Sequence, residues 1–480
     1  MVALKDNIKA VKDVLTSEDV LVFEFQSRDG KKFAVIYADD IANKVLLGEL
    51  VVKPLRDVKA DSPIDEVKLL LASPELKDGG TIEDGIKEIS DGNAVLFVDG
   101  EKDFFIIGLK KPPARAVAEP PTQVAVRGPR EGFIEDIKTN MGLVRKRIKS
   151  DKLQFKTIKC GEQSETAVCL VYIEGVCAKG LPEKVQKQIE AHLIDIVPDS
   201  SYISNFISGK PKSLFKRSGT AEKPDVFCAK VCEGRLGILV DGSPIALTVP
   251  YMITEDFQSV EDYYVTGTRA TIVRLLRVFA LLVGLFLPAF YVAAELFKPQ
   301  LIPLQLLLKI SSSVSGLSLS PSLEMFLVMF VLEVLNEASI RMPKYVGLAL
   351  SVVGALVLGD TAVKAGIIST PAIIIIAFSA ICLYTVPDLV ETTTTIRWLF
   401  LIVAGSVGPF GIILTIAGIL CYLVTEQSYG VPLLAPFAPI VKNDLYDSMV
   451  KANMYSLKKR PEVFKGKNRV RLRDKNEDKR

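Results

Sequence analysis

Residues 321–366 constrain the fold most strongly, because they place carboxylates inside long apolar segments. The first segment, PSLEMFLVMFVLEVLNEAS, carries Glu324, Glu333 and Glu337 among Met, Phe, Leu and Val residues. A short basic turn, IRMPK, separates it from a second apolar segment, YVGLALSVVGALVLGDTAVKAG, which carries Asp360. Ionisable groups at bilayer depth are costly, and they occur where they face a helix-bundle interior or a water-filled path. We therefore predict two membrane helices whose embedded carboxylates serve a function.

The carboxylates of the first segment fall on two sides of a helix. Glu333 and Glu337 are four residues apart and share one face. Glu324 precedes Glu333 by nine residues, which places it about half a turn out of phase. The second segment repeats small residues at every fourth position, namely Gly347, Ser351, Ala355 and Gly359. Such a stripe favours close helix packing in lipid, and the lining of a narrow pore is the alternative interpretation.

Hydropathy divides the chain into a globular half and an apolar half. The 480 residues combine 24% charged residues with a mean hydropathy of +0.31, so the apolar residues must be segregated. We predict an α/β soluble N-terminal region of two subdomains followed by an all-α multi-span membrane domain. The predicted divisions are a first α/β subdomain (1–110), a Pro-rich connector (111–130), a second α/β subdomain (131–265), a transmembrane domain (269–440) and a basic cytoplasmic tail (441–480).

Hairpin and helix patterns alternate in the soluble half. Asp-Gly turns at Gly30, Gly100 and Gly242 predict three β-hairpins. The run VFCAKV, residues 226–231, is predicted as a strand. Residues 209–223 are predicted to form a mobile loop, because they are polar and contain Pro, Gly and Ser. The connector and the RGPREGF turn after it are proposed as hinge positions.

Charge predicts that both ends of the chain are cytoplasmic. The N-terminus is charged and amphipathic and lacks the apolar core of a secretory signal. Arg269, Arg274 and Arg277 at the front of the first predicted membrane helix, 272–296, favour the same side. The tail, 441–480, carries thirteen Lys and Arg residues against six Asp and Glu residues, a net charge of +7. An even number of membrane spans is therefore expected.

The candidate spans number five, so one of them must be assigned differently; they are 272–296, the two segments within 321–366, 371–386 and 396–424. Residues 303–319 are a weaker apolar segment, interrupted by Ser and Gly, and are predicted to be interfacial or re-entrant rather than spanning. The run 396–424 is longer than one span needs. The Gly408-Pro409 pair within it predicts a kink or a broken helix. If this run forms a helical hairpin, the total number of membrane spans becomes even.

No enzyme motif is found in the sequence. It contains no phosphate loop, no GxGxxG, no HExxH and no GxSxG. A single histidine, His192, argues against most acid/base and metal schemes, so we predict no catalytic residue, metal or cofactor. His192 is interpreted as a partly buried structural residue. The seven cysteines, odd in number and irregularly spaced, are interpreted as small core residues in a reducing compartment.

Two basic clusters bear on possible partners. They are Arg145-Lys146-Arg147 and Lys458-Lys459-Arg460. On a chain anchored to a membrane, we interpret them as solvated helix faces or contacts to anionic lipid, and no nucleic acid partner is predicted.

Four stretches together resemble the A subunits of spore germinant receptors, the GerA family. They are VRGPREGFIEDIKTNMGLVRKRI (126–148), RLLRVFALLVGLFLPAFYVA (274–293), LEVLNEASIRMPKYVGLALSVVGALVLGDTAVKAGIIS (332–369) and SYGVPLLAPFAPI (428–440). The family motif in the first stretch comprises Arg127, Gly128, Pro129, Arg130, Glu131, Gly132 and Phe133. The chain departs from the family at Asn336, where Arg is expected before the glutamate, and at Ser339, where Gly is expected.

The resemblance implies a membrane receptor with several subunits. It implies a cytoplasmic two-part N-terminal region, a multi-span domain in the inner membrane of bacterial spores, and association with a transporter-like B subunit and a lipoprotein C subunit. It further implies a pentameric ion channel, with the germinant sensed mainly by the B subunit. Opening would release monovalent cations and start germination.

Three functions are distinguished on these grounds. In a channel, Glu333, Glu337 and Asp360 would attract cations. The constriction is expected on the second helix, at Val352, Ala355, Leu356 and Gly359. A secondary transporter would instead show discontinuous helices in two corresponding halves, and no internal repeat of that kind is evident in the sequence. A membrane-anchored scaffold would need no embedded carboxylates.

Overall fold

The computed structural model describes most of the chain. The described residues are 4–39, 41–71, 73–109, 128–209, 213–315, 317, 319–343, 346–347, 354, 357–452 and 454–472. Residues 111–127 of the Pro-rich connector and the centre of the small-residue stripe lie outside them.

The first subdomain is a five-stranded antiparallel sheet covered by helices on both faces. Its strands are β1 (Val20–Gln26), β2 (Lys32–Ala38), β3 (Leu76–Asp78), β4 (Ala94–Val98) and β5 (Phe104–Ile107), in the spatial order β1-β2-β4-β5-β3. Its helices are α1 (Leu4–Lys12), α2 (Lys44–Leu47) continued by a π-helical turn (Gly48–Val52) into α3 (Lys53–Leu55), α4 (Ile64–Leu70) and α5 (Ile82–Ser90). Alternate residues of β2 face α1 and α5 on one side and α2 to α4 on the other.

The second subdomain repeats this architecture. Its strands are β6 (Leu153–Cys160), β7 (Thr166–Ile173), β8 (Gly219–Ala221), β9 (Leu236–Val240) and β10 (Ala246–Val249), in the order β6-β7-β9-β10-β8. Its helices are α6 (Ile137–Arg147), α7 (Leu181–Glu190), α8 (Ser200–Ser208) and α9 (Pro224–Glu233). Helices α6 and α9 cover one face and α7 and α8 cover the other. The two subdomains therefore share one strand order and one arrangement of helices around it.

The three predicted hairpin turns are confirmed. Gly30, Gly100 and Gly242 have φ values of 94°, 85° and 81° between the paired strands β1–β2, β4–β5 and β9–β10. This left-handed backbone is what glycine adopts without a steric penalty.

The predicted strand at 226–231 is wrong, because these residues form the middle of helix α9. Phe227, Cys228 and Val231 are buried, which is the spacing of one helix face rather than the alternation of a strand. Pro224 in the first turn and Gly234 after the last turn, with φ of 113°, delimit the helix.

The predicted mobile loop at 209–223 is also wrong over its described part. Residues 219–221 form strand β8, and Phe215 is buried in the main apolar core of the helical domain. The polar composition of this stretch reflects its charged contacts with that domain.

Helices make up most of residues 267–425, and a short antiparallel pair, β11 (Gln427–Ser428) and β12 (Val431–Pro432), follows them. The helices are α10 (Gly267–Phe297), α11 (Leu304–Val314), α12 (Pro321–Arg341), α13 (Ala362–Lys364) after a π-helical turn (Val357–Thr361), α14 (Thr370–Leu383), α15 (Val390–Val407) and α16 (Pro409–Thr425). Helix α10 packs against α12, α14, α15 and α16 around one apolar core. The run 396–424 breaks at Gly408, whose φ is 75° and where a Cβ would strike the Phe297 ring.

Membrane-spanning capacity is clear for one helix. Among the described residues, α10 alone is long and apolar enough to cross a bilayer. The pair Thr370–Leu383 and Pro387–Val407 qualifies only if taken together, and it is bent by 108°. Helices α11 and α16 are apolar but shorter.

The basic tail folds back onto the second subdomain. Phe464 is buried, and the Arg235 guanidinium lies 4.8 Å from its ring centroid. Arg460 Nε donates to the Cys232 carbonyl oxygen at 2.8 Å, and Arg471 lies 3.6 Å from the Glu233 carboxylate. The interpretation of Arg460 as a solvated or lipid-bound residue is therefore corrected.

Two other sequence interpretations change. His192 is exposed rather than partly buried, and its ring stacks on Phe206 with centroids 4.8 Å apart. Cysteines 160, 169, 177, 228 and 382 are buried as expected, whereas Cys232 is half-buried and Cys421 is exposed. Burial raises the pKa of both Cys177 and Cys228 to about 12, so these two thiols are unreactive at neutral pH.

A buried ion pair joins the two subdomains. Arg145, assigned from the sequence to a solvated cluster, is 1% exposed, and its Nη2 lies 2.6 Å from Asp19 Oδ2. A second bond runs from Arg145 Nε to Asp19 Oδ2 at 3.1 Å. Its neighbours Lys146 and Arg147 pair with Glu131 nearer the surface.

Replacing Arg145 by Leu is expected to lower the free energy of unfolding by about 3–5 kcal/mol, because the Asp19 carboxylate then stays buried without a cationic partner, with only the Ser17 hydroxyl donating to it. The double variant Arg145→Leu/Asp19→Leu is expected to recover most of this loss. Thermal unfolding of the detergent-solubilised protein, followed by circular dichroism, measures both. Arg28→Leu is the control: its pair with Asp57 is exposed, and its loss is expected to be below about 1 kcal/mol. An Arg145→Leu loss as small as that would contradict the assignment.

Candidate functional site in the helical domain

The three carboxylates of α12 occupy three different environments. Glu324 is fully buried in the first turn, and its Oε1 accepts a hydrogen bond from the Ser369 backbone N–H. Glu333 lies in the middle of the helix and pairs with Arg397. Glu337 is exposed and pairs with Arg341 one turn later, at 2.5 Å.

The Glu333–Arg397 ion pair lies inside the helical bundle. Arg397 Nη2 is 2.8 Å from Glu333 Oε1, and Arg397 Nη1 donates to Ser379 Oγ at 3.3 Å. Arg397 is 2% exposed, so its positive charge is stabilised by these two side chains rather than by water. Sequence reasoning missed Arg397, although a single arginine within the apolar run 396–424 was a usable signal.

A cavity of about 280 Å³ opens beside this ion pair, between α12 and α15. Glu333, Asn336 and Glu337 line it from α12, and Glu391 and Arg397 line it from α15. The predicted shared face of Glu333 and Glu337 is therefore found, and both side chains border the same space. Arg397 pairs with Glu333 and Arg341 pairs with Glu337, so three carboxylates against two guanidinium groups leave one negative charge at the cavity. Asn336 contributes no positive charge at the position where the resemblance leads one to expect Arg.

The small-residue stripe is described only at its ends. Ser351, Val352, Ala355 and Leu356 lie outside the described residues. At Gly347 an added Cβ would come within 3.2 Å of the Ser339 carbonyl oxygen of α12, so the helices approach closely there. At Gly359 an added Cβ would meet nothing within 4 Å. Asp360 next to it is exposed and pairs with Lys364 at 2.6 Å.

The motif of residues 127–133 anchors the second subdomain. Arg127 lies outside the described residues, and Pro129, Arg130 and Gly132 connect the anchoring positions. Gly128 has a φ of 115°, and a Cβ there would collide with the Tyr264 ring. Glu131 lies 2.7 Å from Arg147, and Phe133 packs edge-on against Phe227 with ring centroids 5.5 Å apart.

A buried cluster of charges joins the soluble and helical parts at the start of α10. Asp262 is 2% exposed and lies 3.1 Å from Arg274 Nε and 2.8 Å from Arg277 Nη1. Arg274, fully buried, also lies 3.2 Å from Asp447 of the tail. Arg274 and Arg277 were assigned to the cytoplasmic end by charge alone, and their partners are groups of the soluble part and the tail.

Residues 213–217 form a second connection between the two parts. Lys216 Nζ lies 2.9 Å from Asp256 and 3.3 Å from Asp388, which precedes α15. Arg217 pairs with Glu426 just after α16. Tyr251 donates its hydroxyl to Asp256 at 2.5 Å. Burial raises the pKa of Asp256 to about 6, against the opposing charge of Lys216.

The comparisons with known proteins agree on one family. The sequence profile of the Bacillus/Clostridium GerA spore germination protein family matches residues 4–463. The chain belongs to this family.

The chain is also similar over nearly its whole length to curated relatives. It is 33% identical to spore germination protein KA of Bacillus subtilis (strain 168), covering 97% of this chain and 87% of that protein. It is 31% identical to the uncharacterized membrane protein YfkQ of the same organism, covering 96% and 91%. Among solved structures, the N-terminal domain of the A subunit of the Bacillus megaterium spore germinant receptor GerK3 matches with a TM-score of 0.41 and 22% identity, over 52% of this chain and 96% of that one.

The stability of the protein is expected to fall as the pH rises from about 4 to about 6, in a component that depends on Asp256. Its pKa is about 6 in the folded protein and about 3.9 in an unfolded chain. Between these two pKa values the folded protein keeps a proton on Asp256 that the unfolded chain has already lost. As the pH rises through this window, the free energy of unfolding therefore falls by up to about 3 kcal/mol. Thermal unfolding of the wild type and of Asp256→Asn between pH 4 and pH 7 measures the difference.

The control for this titration is Asp57→Asn, a change at an exposed carboxylate. This variant is expected to show the same dependence of unfolding temperature on pH as the wild type. Parallel curves for the wild type and Asp256→Asn would contradict the assignment.

Proposed function

We propose that the chain is the A subunit of a spore germinant receptor and acts as an oligomeric cation channel in the spore inner membrane. Germinant sensing would open the channel, and the release of monovalent cations would start germination. Membership of the GerA family supports the role in germination, and the name of a relative as a membrane protein supports the location. A transporter-like B subunit and a lipoprotein C subunit are the proposed partners.

The observation that carries the ion-channel proposal is the acidic cavity between α12 and α15. It is bordered by Glu333, Glu337 and Glu391, of which the first two pair with Arg397 and Arg341, so that one negative charge is left over. An excess of carboxylates in an otherwise apolar bundle attracts cations and disfavours anions. A scaffold that only anchors the soluble part would have no use for it.

Helix directions support a multi-pass topology. Ser379 and Leu383 of α14 lie against Gly284 of α10, and Gly405 of α15 lies against Val292 of α10. Ser369 at the start of α14 lies beside Tyr291, further along α10, so α14 runs antiparallel to α10. Phe400 of α15 packs against Phe286 of α10 with ring centroids 4.9 Å apart, before Gly405 meets Val292, so α15 runs parallel to α10. Helix α16 begins beside Phe297 at the far end of α10. Near its other end, the Tyr422 hydroxyl contacts Ser213 of the soluble part. This return agrees with an even number of crossings and with both ends on the cytoplasmic side.

Exposed groups support self-association, which we propose to be pentameric. Large apolar side chains such as Phe279, Phe330 and Phe410 are exposed on the helical surface of one copy, where lipid or a second copy would cover them. Glu337 and Asp360 are exposed on the same domain. Because ionised groups are unfavourable in lipid, we place them toward neighbouring copies or the ion path, with residues 346–366 nearest the axis.

Liposome flux of the purified protein tests this function. We propose that Val352 and Leu356 narrow the pore, so Val352→Ala and Leu356→Ala are expected to raise potassium efflux severalfold over the wild type. The matched control is Leu420→Ala on α16, an exposed apolar residue that is expected to leave efflux unchanged. In the same recordings, Glu391→Gln is expected to lower the preference for potassium over chloride.

The outcomes separate the possible functions. Saturable uptake of a germinant without passive ion flux would indicate a transporter. No flux from the wild type or from either gate variant, alone or with the B subunit in the same liposomes, would indicate a scaffold and contradict the channel.

A further inference from the structure

A second group of acidic side chains lies at the end of the bundle farthest from the soluble part. It is formed by Tyr291 and Glu295 near the end of α10, Glu324 in the first turn of α12, and Ser369 at the N-cap of α14. Glu295 follows the first residue of α10 by 28 positions, a rise of about 42 Å along the helix. This group is therefore separate from the cavity at Glu333.

Two carboxylate oxygens of this group are buried and unpartnered within the described part of the chain. Glu324 is fully buried and Tyr291 is 8% exposed. Glu324 Oε2 and Glu295 Oε2 have no hydrogen-bond partner there. The Tyr291 hydroxyl lies beside the Glu295 and Ser369 side chains, and both carboxylates are close enough to interact with it electrostatically. Two unpartnered carboxylate oxygens and one hydroxyl thus converge on one region inside the bundle.

No cationic side chain compensates these carboxylates within the described part of the chain. Neither Glu295 nor Glu324 forms an ion pair with a described Lys or Arg. An isolated buried carboxylate costs several kcal/mol. Balance must therefore come from the backbone or from a bound positive charge.

The backbone supplies about half of the positive charge that is needed to balance the two carboxylates. Glu324 lies in the first turn of α12 and accepts the Ser369 N–H at the start of α14. Each helix N-terminus presents about half a positive charge. Two carboxylates less these two half-charges leave about one negative charge.

We propose that Tyr291, Glu295 and Glu324 bind one monovalent metal cation, Na⁺ or K⁺. Carboxylate and hydroxyl oxygens are hard ligands that suit such ions. A single positive charge balances the remaining negative charge, whereas a divalent ion would leave an excess of positive charge. The bound ion ties α10, α12 and α14 together at this end of the bundle. The proposal concerns binding and goes beyond conduction, since the ion would be held whether or not the chain is a channel.

Thermal unfolding of the full chain in detergent tests this site, with the fluorescence of Trp398, the only tryptophan, as the probe. Unfolding is measured in NaCl, KCl and choline chloride at one ionic strength and one neutral pH. The wild type is expected to unfold at a higher temperature in NaCl or KCl than in choline chloride, with saturation as the metal salt replaces choline. The salt that saturates at the lower concentration identifies the preferred ion.

Variants locate the effect. Glu324→Gln and Glu295→Gln are each expected to abolish the difference between the salts. Glu66→Gln, at an exposed carboxylate of α4, is expected to keep it. Tyr291→Phe removes only the hydroxyl, so it provides a test even if the Glu324 variant fails to fold, and it is expected to raise the half-saturating concentration about tenfold.

Three results would overturn the proposal. One is equal unfolding temperatures of the wild type in all three salts. Another is a salt difference that survives in Glu295→Gln and keeps the wild-type half-saturating concentration in Tyr291→Phe. The third, from a second series at several pH values, is a stabilisation that follows pH alone and is equal in all salts, which would assign a shared proton to the site instead of a metal ion.

Discussion

The carboxylate of Asp262 is the point on which the arrangement of the soluble and helical parts depends. It lies between Arg274 and Arg277 of α10, and Arg274 reaches on to Asp447 of the tail. These charges are removed from water, so separating them without replacement partners is costly. Three segments that are distant in the sequence therefore meet at the start of α10, the longest apolar helix. A displacement of the soluble part would transmit force directly to α10.

The second subdomain is the part that contacts the helices. Phe215 packs into the helical core. Lys216 pairs with Asp388 before α15, and Arg217 pairs with Glu426 after α16. The tail contacts the second subdomain through Arg460, which donates to the Cys232 carbonyl oxygen. The first subdomain has the same strand order but attaches to the second through the Arg145–Asp19 pair. One architecture thus occurs twice, once at the periphery and once as the connection to the helical part.

The sequence predicted local features well and long-range ones poorly. The turns at Gly30, Gly100 and Gly242 follow from two-residue chemistry, and the shared face of Glu333 and Glu337 follows from helix periodicity. The partners of a buried charge cannot be read from such patterns. Arg397 lies 64 positions from Glu333 and Ser369 lies 45 positions from Glu324. The loop at 209–223 was misassigned because tertiary contacts, which a short window does not contain, decided its structure. The strand at 226–231 was misassigned although Pro224 and Gly234 give local signals for a helix between them.

The central claim is that the soluble and helical parts form one cooperative unit through the Asp262 cluster. The protein offers two independent probes of unfolding: Trp398, packed against Phe326 in the helical part, and the buried thiols Cys177 and Cys228 in the second subdomain. In the wild type, tryptophan fluorescence and thiol exposure are predicted to change at the same temperature. Asp262→Asn is predicted to separate the two transitions. Two transitions several degrees apart in the wild type would contradict the claim.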